Sequence, residues 1–266
     1  MNFCKGCNMK HLSLAFVLFL SLGIISGCSA TPDPEAETAE ELYNQAYKKL
    51  EETSYKKAAE DFERVELEHP YSKWAVKAKL MGAYSFYKAK DYDSAIIALD
   101  RFIKFHPGNQ DIAYAYYLKA LCYYDQIKPV SKDQGNTEQA LISLQQVVMR
   151  FPDSEYAKDA ALKIVLAQDH MAGHEMEIGR YYLSQDNYLS ALNRFSTVVN
   201  NYQTTSQIEE ALYRQVEIYT ILGLPEEAAT AGRVLAYNYP KSPWTAKANQ
   251  ILRTESTKDN ADHPVD

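Results

Sequence analysis

The chain has 266 residues, enough for one large or two small domains with a hydrophobic core. Its 46% hydrophobic and 24% charged residues are ordinary for a globular protein, and its net charge is −7. This acidic balance argues against a nucleic-acid-binding protein and against electrostatic adsorption to anionic lipid, because both depend on clustered cations. With 21 Tyr but only 10 Gly and 10 Pro, the composition favours packed helices over turn-rich β structure.

The N-terminus has the pattern of a secretory signal. Residues 1–10 carry two Lys and no acid, and residues 12–25 are almost entirely apolar. The apolar run is shorter than the roughly 20 residues that cross a bilayer as a helix, so a permanent transmembrane anchor is the weaker alternative. The run ends in "ISGC" at 25–28, which resembles the lipobox of bacterial lipoproteins.

The lipobox resemblance implies cleavage between Gly27 and Cys28, a diacylglyceryl group on the Cys28 sulfur and acylation of the new N-terminus. Several acyl chains together hold a protein in a membrane far better than one chain does. In many diderm bacteria an Asp after the lipidated Cys retains a lipoprotein in the inner membrane, so Ser29 implies transfer to the outer membrane. We therefore expect residues 1–27 to be a signal peptide and the mature chain to be lipid-anchored.

The remaining cysteines and the next segment follow from this interpretation. Cys4 and Cys7 form a C-x-x-C that is expected to leave with the signal peptide. Cys122 is then the single thiol of the folded part, and its apolar helical surroundings predict a buried structural cysteine. Residues 28–40 contain the acidic, Pro-containing stretch "TPDPEAETAE", which predicts a flexible tether.

An internal repeat organises the chain beyond the tether. Five segments share an Ala at their fourth position, and in four of them a Pro follows twelve residues later. Successive Ala residues stand 37 to 51 residues apart, so the unit length varies while the inner spacing does not. The segments are "YKKAAEDFERVELEHP", "YDSAIIALDRFIKFHP", "TEQALISLQQVVMRFP", "YLSALNRFSTVVNNYQ" and "PEEAATAGRVLAYNYP".

The inner spacing is typical of a helix that packs closely and then ends. The small Ala lets two helices approach, large apolar residues follow at +4 and +7, and Pro stops the helix. Each unit has a second apolar stripe upstream, and such helix pairs bury both faces only by stacking. The pattern resembles the tetratricopeptide repeat (TPR) and predicts an all-α protein, an α-solenoid of about five TPR-like helix pairs over residues 41–254, followed by a disordered tail at 255–266.

Several units depart from the repeat. The third unit gains a loop at residues 127–136, and the fifth has Gly232 where the others have a large apolar residue. The fourth unit carries extra length between Pro152 and Ala191. We interpret that length either as a longer helix or as a helix pair broken near Gly173.

The sequence offers little that predicts catalysis. His170 and His174 stand four residues apart with Glu175 and Glu177 nearby, which would suit a metal site and hence a metallohydrolase. Because we expect Gly173 to interrupt the helix and no third ligand is specified, a solvated face is the preferred interpretation. No nucleophile motif or phosphate-binding loop is present in the sequence, so we expect no cofactor, no metal and a function carried by the protein surface.

Aligning the units predicts which side chains face a peptide-binding groove. Tyr provides a large contact area with a polar tip, which suits binding of extended peptides. The alternative is that these rings pack between neighbouring repeats. The predicted groove residues are Tyr43, Tyr47, Lys77, Tyr84, Tyr87, Tyr114, Tyr117 and Tyr124.

The combination of lipobox, tether and five irregular TPR units resembles the BamD (ComL) family of outer-membrane assembly lipoproteins. The specific stretches are "AYSFYKAKDYDSAIIALDRFIKFHP" (83–107), "FPDSEYAKDAALKIVL" (151–166) and "EIGRYYLSQDNYLSALNRF" (177–195). The resemblance implies a non-enzymatic scaffold of the β-barrel assembly machine. In such a scaffold the C-terminal repeats hold the periplasmic domains of BamA, and the N-terminal repeats receive unfolded barrel precursors.

The resemblance also assigns partners and one contact residue. Other lipoproteins of the same machine are expected partners, and Arg194 in "LNRF" matches an Arg that the family places at the contact with BamA. The planar guanidinium of an Arg can grip a partner carboxylate with two hydrogen bonds. Two alternatives stay open: an exposed, solvated Arg194, and a different periplasmic TPR lipoprotein that serves envelope division or polysaccharide export.

Overall fold

The computed structural model describes the backbone of residues 37–262 and the side chains of residues 37–254. The predicted signal peptide, its predicted cleavage site and all but the last residues of the predicted tether lie outside this range. All regular secondary structure within it is helical. The helices are α1 (Ala39–Glu51), α2 (Tyr55–Glu68), α3 (Lys73–Lys88), α4 (Tyr92–Phe105), α5 (Ile112–Tyr124), α6 (Gly135–Arg150), α7 (Glu155–Ser184), α8 (Tyr188–Asn201), α9 (Ile208–Ile221), α10 (Pro225–Asn238) and α11 (Pro243–Asp262).

The helices form five stacked pairs, α1/α2 to α9/α10, with α11 packed on the last pair. Each helix contacts the next one along the chain. The first helices of successive pairs also touch, as in α1 with α3, α3 with α5 and α5 with α7. This arrangement confirms the predicted all-α solenoid, in which each pair buries its second face against its neighbour. The described part of the chain contains no helix long and apolar enough to span a membrane.

The second helix of each pair carries the buried stripe that the repeat predicts. In the first four pairs the Ala and its large neighbours at +4 and +7 are all at most 1% exposed. Full burial of each large side chain contributes about 1.5–3 kcal/mol. These residues are Ala58, Phe62 and Val65; Ala95, Leu99 and Phe102; Ala140, Leu144 and Val147; Ala191, Phe195 and Val198.

The second helices also end in a common way. The residue after each one has φ between −134° and −130° with positive ψ, which takes it out of the helical region. A following Pro enforces this conformation in four pairs. Tyr202 adopts it although Gln203 follows, so the position in the fold is sufficient without the Pro.

Glycine permits two close helix contacts. A Cβ on Gly179 of α7 would lie 2.6 Å from Cε1 of Phe195, so the Phe195 ring packs directly against the α7 backbone at Gly179. A Cβ on Gly232 would lie 2.6 Å from Cδ1 of Leu252. Gly232 therefore allows α11 to pack closely on α10. The Leu252 side chain of α11 lies where the other units have a large residue at +4 of their second helix.

Helix α7 settles the extra length of the fourth unit. It runs unbroken for 30 residues, so the longer-helix interpretation is confirmed and the predicted break near Gly173 is wrong. Glycine inside a helix costs only about 1 kcal/mol, and a Cβ on Gly173 would lie 3.3 Å from Cγ1 of Val130. Gly173 thus lets the 127–136 loop lie close against a continuous helix.

The last helix extends further than the sequence predicted. Helix α11 continues to Asp262, so residues 255–262 are helical rather than disordered. No Gly or Pro interrupts residues 244–262, and each residue added to an existing helix gains one backbone hydrogen bond. Polar composition alone therefore misplaced the end of the ordered part. Residues 263–266 lie outside the described range.

Candidate partner-binding surface

Aromatic residues of the first and second pairs form a cluster at the N-terminal end. The Tyr43 ring packs 5.3 Å from Phe62 and 4.8 Å from Trp74, and Tyr47 stacks on it at 6.5 Å. The ammonium group of Lys77 lies 5.2 Å from the centre of the Trp74 ring. The structure thus brings three predicted groove residues together around Trp74.

Trp74 is a member of this cluster that the groove prediction missed. It stands three residues before Lys77 in "SKWAVKA", and residues three apart lie on one face of a helix. This spacing was the available signal. Within the cluster, Tyr47 is 43% exposed whereas Tyr43 is half-buried, so Tyr47 offers the accessible ring.

The next predicted groove residues pack between repeats. Tyr87 donates its hydroxyl to Oδ2 of Asp125 at 2.7 Å, which joins α3 to the end of α5. Tyr84 and Tyr114 pack against the buried core of the second pair. Burial raises the pKa of Tyr87 and of Tyr114 well above the usual value, so both phenols stay neutral.

Helices α5 and α7 are joined in the same way. Tyr117 donates its hydroxyl to Asp159 of α7 and stacks 5.3 Å from Tyr156. This hydrogen bond lowers the pKa of Asp159 because it stabilises the charged carboxylate. Tyr124 lies under the ammonium group of Lys163, 5.3 Å from the ring centre. Tyr87, Tyr117 and Tyr124 therefore link the first helices of successive pairs through hydrogen bonds and a cation–π contact.

Arg194 has a partner within the chain. It lies on α8, and its Nη1 donates to Glu175 of α7 at 3.1 Å and 3.4 Å from the two carboxylate oxygens. The Arg194 side chain is 42% exposed, while the Glu175 side chain is 15% exposed. The less exposed Glu175 carboxylate thus fixes the position of the Arg194 guanidinium, and the Arg194 side chain remains partly exposed to solvent.

The two histidines hold the 127–136 loop and are not a solvated face. His174 Nδ1 donates to the backbone oxygen of Val130, and His170 Nδ1 donates to Oε1 of Gln134 at 3.1 Å. Gln134 in turn donates to the backbone oxygens of Pro129 and Lys132. The expectation of a solvated face was wrong because an unbroken α7 points both rings at the loop. Residues 37–254 contain no group of three metal-ligating side chains.

Cys122 is a buried structural cysteine, as predicted. It lies on α5 and is fully inaccessible in the core that α5 forms with α3 and α4. Burial raises the pKa of its thiol to about 12, so the thiol is protonated at neutral pH and is a poor nucleophile. Cys28 and Gly27, the predicted lipidation and cleavage residues, lie outside the described residues.

Comparisons with known proteins assign the family. A family model described as an outer membrane lipoprotein (YfiO) matches residues 35–235. The outer membrane protein assembly factor BamD of Rickettsia prowazekii is 46% identical over 246 residues, covering 92% of this chain and 97% of that protein. BamD of Caulobacter vibrioides is 45% identical over 218 residues, covering 82% of this chain and 72% of that one. The chain therefore belongs to the outer membrane lipoprotein family that includes the assembly factors BamD.

Proposed function

We propose that the chain is a non-enzymatic scaffold lipoprotein of the outer-membrane β-barrel assembly complex. The observation that carries the proposal is the match to BamD assembly factors over almost the whole chain. The helical repeat supports it, because stacked helix pairs present an extended binding surface. The bound partners are BamA, other lipoproteins of the complex and unfolded outer-membrane β-barrel precursors.

The chain sits at the periplasmic face of the outer membrane, held by lipid on Cys28. The lipobox "ISGC" and the following Ser29 support this placement. The acidic tether before α1 gives the solenoid reach from the lipid surface. Because the lipid on Cys28 is the anchor, no part of the folded solenoid has to enter the bilayer.

The C-terminal repeats hold the periplasmic domains of BamA, and Arg194 is a contact residue. Its ion pair with Glu175 fixes the guanidinium on the surface between α7 and α8. A guanidinium has five N–H donors, so bonds to Glu175 leave others for a partner carboxylate. Prior positioning reduces the side-chain entropy that binding costs.

Arg194→Glu should weaken capture of BamA about tenfold, because attraction to a partner carboxylate becomes repulsion. A pull-down of BamA periplasmic domains on the mature chain measures this. Glu175→Gln is the matched control, since it removes the same internal ion pair but keeps the Arg194 charge. We expect Glu175→Gln to weaken BamA binding by less than about threefold, because the Arg194 charge stays and only its prior positioning is lost. Equal losses in both variants would show that Arg194 serves only the internal pair.

The N-terminal repeats receive the barrel precursors at the cluster of Tyr43, Tyr47, Trp74 and Lys77. An exposed aromatic ring beside a cation suits a segment that carries both an apolar and an acidic group. Tyr47→Ala should therefore weaken binding of a urea-denatured barrel precursor about fivefold, measured by fluorescence anisotropy after dilution. Tyr71→Ala is the control, because Tyr71 is fully exposed and outside the cluster. An equal effect of both changes would contradict the site.

A further inference from the structure

A cleft lies between the 127–136 loop and α7, on the face formed by the first helices of the pairs. We call it the loop cleft. Its volume is about 590 Å³, within the usual range of ligand-binding clefts. Its apolar lining includes Tyr124, Ile127, Val130, Leu166 and Ala167.

The walls of the loop cleft are fixed before anything binds. His174 and His170 hold the loop through Val130 and Gln134, and Gly173 lets Val130 reach the helix. Asn136 also donates to the backbone oxygen of Gln126 across the base of the loop. A cleft with fixed walls loses little conformational entropy on binding.

An apolar stripe on α7 extends the loop cleft. Leu162, Val165 and Leu166 are 68%, 53% and 60% exposed, a run of large apolar side chains without cover from the described part of the chain. Leu162 and Leu166 are one helical turn apart, about 6 Å along the axis. In an extended strand, side chains on one face repeat every two residues, or about 6.6 Å. Two alternate side chains of an extended segment can therefore rest on Leu162 and Leu166 together.

The charges at the loop cleft favour a basic occupant. Asp169 and Glu177 line it, and the cation there, Arg180, already donates two hydrogen bonds to Glu210, at 2.7 Å and 3.0 Å. Oδ1 of Asp169 accepts hydrogen bonds from Ser206. Glu177 forms no ion pair within residues 37–254, although its charge attracts Arg180 and helps to raise the pKa of that guanidinium. Asp169 and Glu177 together outweigh the charge of Arg180, so the lining is net negative toward an occupant.

We infer that the loop cleft and the α7 stripe bind an extended, unfolded segment in which apolar residues alternate with polar ones and which carries a basic residue. This inference rests on the proposed function, because alternating apolar residues are the pattern of strands in membrane β-barrels. It adds a second contact region, in the middle of the solenoid, to the N-terminal cluster.

The test uses the full mature, lipidated chain in detergent and labelled peptides of defined pattern. One ten-residue peptide alternates Leu and polar residues and contains two Lys, and a second has the same composition with its Leu residues in one block. Fluorescence anisotropy should show at least about tenfold tighter binding of the alternating peptide. Leu162→Glu with Leu166→Glu should remove that preference.

One control variant tests whether the effect is specific to position, and one charge-reversal variant tests the preference for a basic peptide. Ile97→Glu with Leu189→Glu adds the same charge at two equally exposed apolar positions, 69% and 66%, away from the loop cleft. This double variant should bind like the wild type. Glu177→Lys should reverse the charge preference, so that a version of the alternating peptide with Glu in place of Lys binds better than the original.

The outcomes separate this inference from the proposed function. Equal binding of the two peptides, or equal losses in both double variants, would overturn the loop cleft as a strand site. A barrel precursor that binds the wild type and the Leu162/Leu166 double variant equally would also overturn it, while leaving the proposed function intact. If the chain binds the alternating peptide through Leu162 and Leu166 but does not bind barrel precursors, the result would instead contradict the proposed function.

Discussion

Gly179→Val is expected to lower the free energy of unfolding by about 3 kcal/mol, the upper part of the range for overpacked cores. The added Cβ would lie 2.6–3.0 Å from three atoms of the Phe195 ring, and Phe195 is fully buried between α7, α8 and their neighbours. The ring cannot retreat without opening the core of the fourth pair. For a domain of this size the loss corresponds to a fall in Tm of roughly 6–12 °C.

The matched control for Gly179 is Gly108→Val. Gly108 lies in an exposed turn, and a Cβ there meets nothing within 4 Å. Its unfolding free energy should change by less than about 0.5 kcal/mol. Thermal unfolding followed by circular dichroism measures both variants. A Gly179→Val chain as stable as the Gly108→Val chain would mean that α7 and α8 do not pack at this distance.

Cys28→Ala should abolish lipid attachment and with it association with the outer membrane. The Cys28 sulfur is the atom that would bond to the diacylglyceryl group, and the methyl side chain of Ala has no nucleophile that could form this bond. Because each buried CH₂ of an acyl chain contributes about 0.8 kcal/mol, loss of the chains removes the main anchoring free energy. Intact mass spectrometry should show an unlipidated precursor, and the variant should leave the outer-membrane fraction.

The control for Cys28 is Cys122→Ala, since Cys122 is the other cysteine retained after the predicted cleavage. It is buried in the folded part, so its replacement should leave lipidation and fractionation unchanged. A Cys28→Ala chain that still carries lipid and fractionates with the outer membrane would contradict the anchor. The same would follow if both variants lost the lipid equally.

The repeat architecture was predictable from sequence because it depends on local spacing. The Ala at position four, the large residues at +4 and +7 and the terminal Pro describe one helix face and one helix end. In the first four pairs the Ala and the large residues at +4 and +7 are buried, while the terminal Pro residues are exposed just beyond the helix ends. The identity of the family was predictable for the same reason, since its motifs lie in contiguous stretches such as 151–166.

Contacts between distant segments were not predictable. The 127–136 loop meets α7 through His170 and His174, some 40 residues away, and nothing in the local sequence records that contact. Gly173 was read as a helix break because glycine weakens isolated helices, but in this position it accommodates Val130. Single-residue propensity gave the wrong answer where tertiary packing decides the conformation.

The groove prediction fell between these cases. The predicted groove residues all lie on the first helices of their pairs, but repeat alignment could not tell whether a ring faces solvent or the next helix. Tyr87 and Tyr117 donate their hydroxyls to Asp125 and Asp159, carboxylates that lie about 40 positions later in the sequence. The exposed aliphatic residues of α7, among them Leu162 and Leu166, are absent from the predicted groove residues, because the groove prediction selected Tyr and Lys side chains.

The most direct test of the scaffold proposal is co-purification from native outer membranes. The full-length chain, tagged at its C-terminus, would be extracted in mild detergent and its partners identified by mass spectrometry. We predict recovery of BamA and other lipoproteins of the barrel assembly complex in amounts comparable to the tagged chain. Recovery of envelope-division or polysaccharide-export proteins without BamA would contradict the proposal.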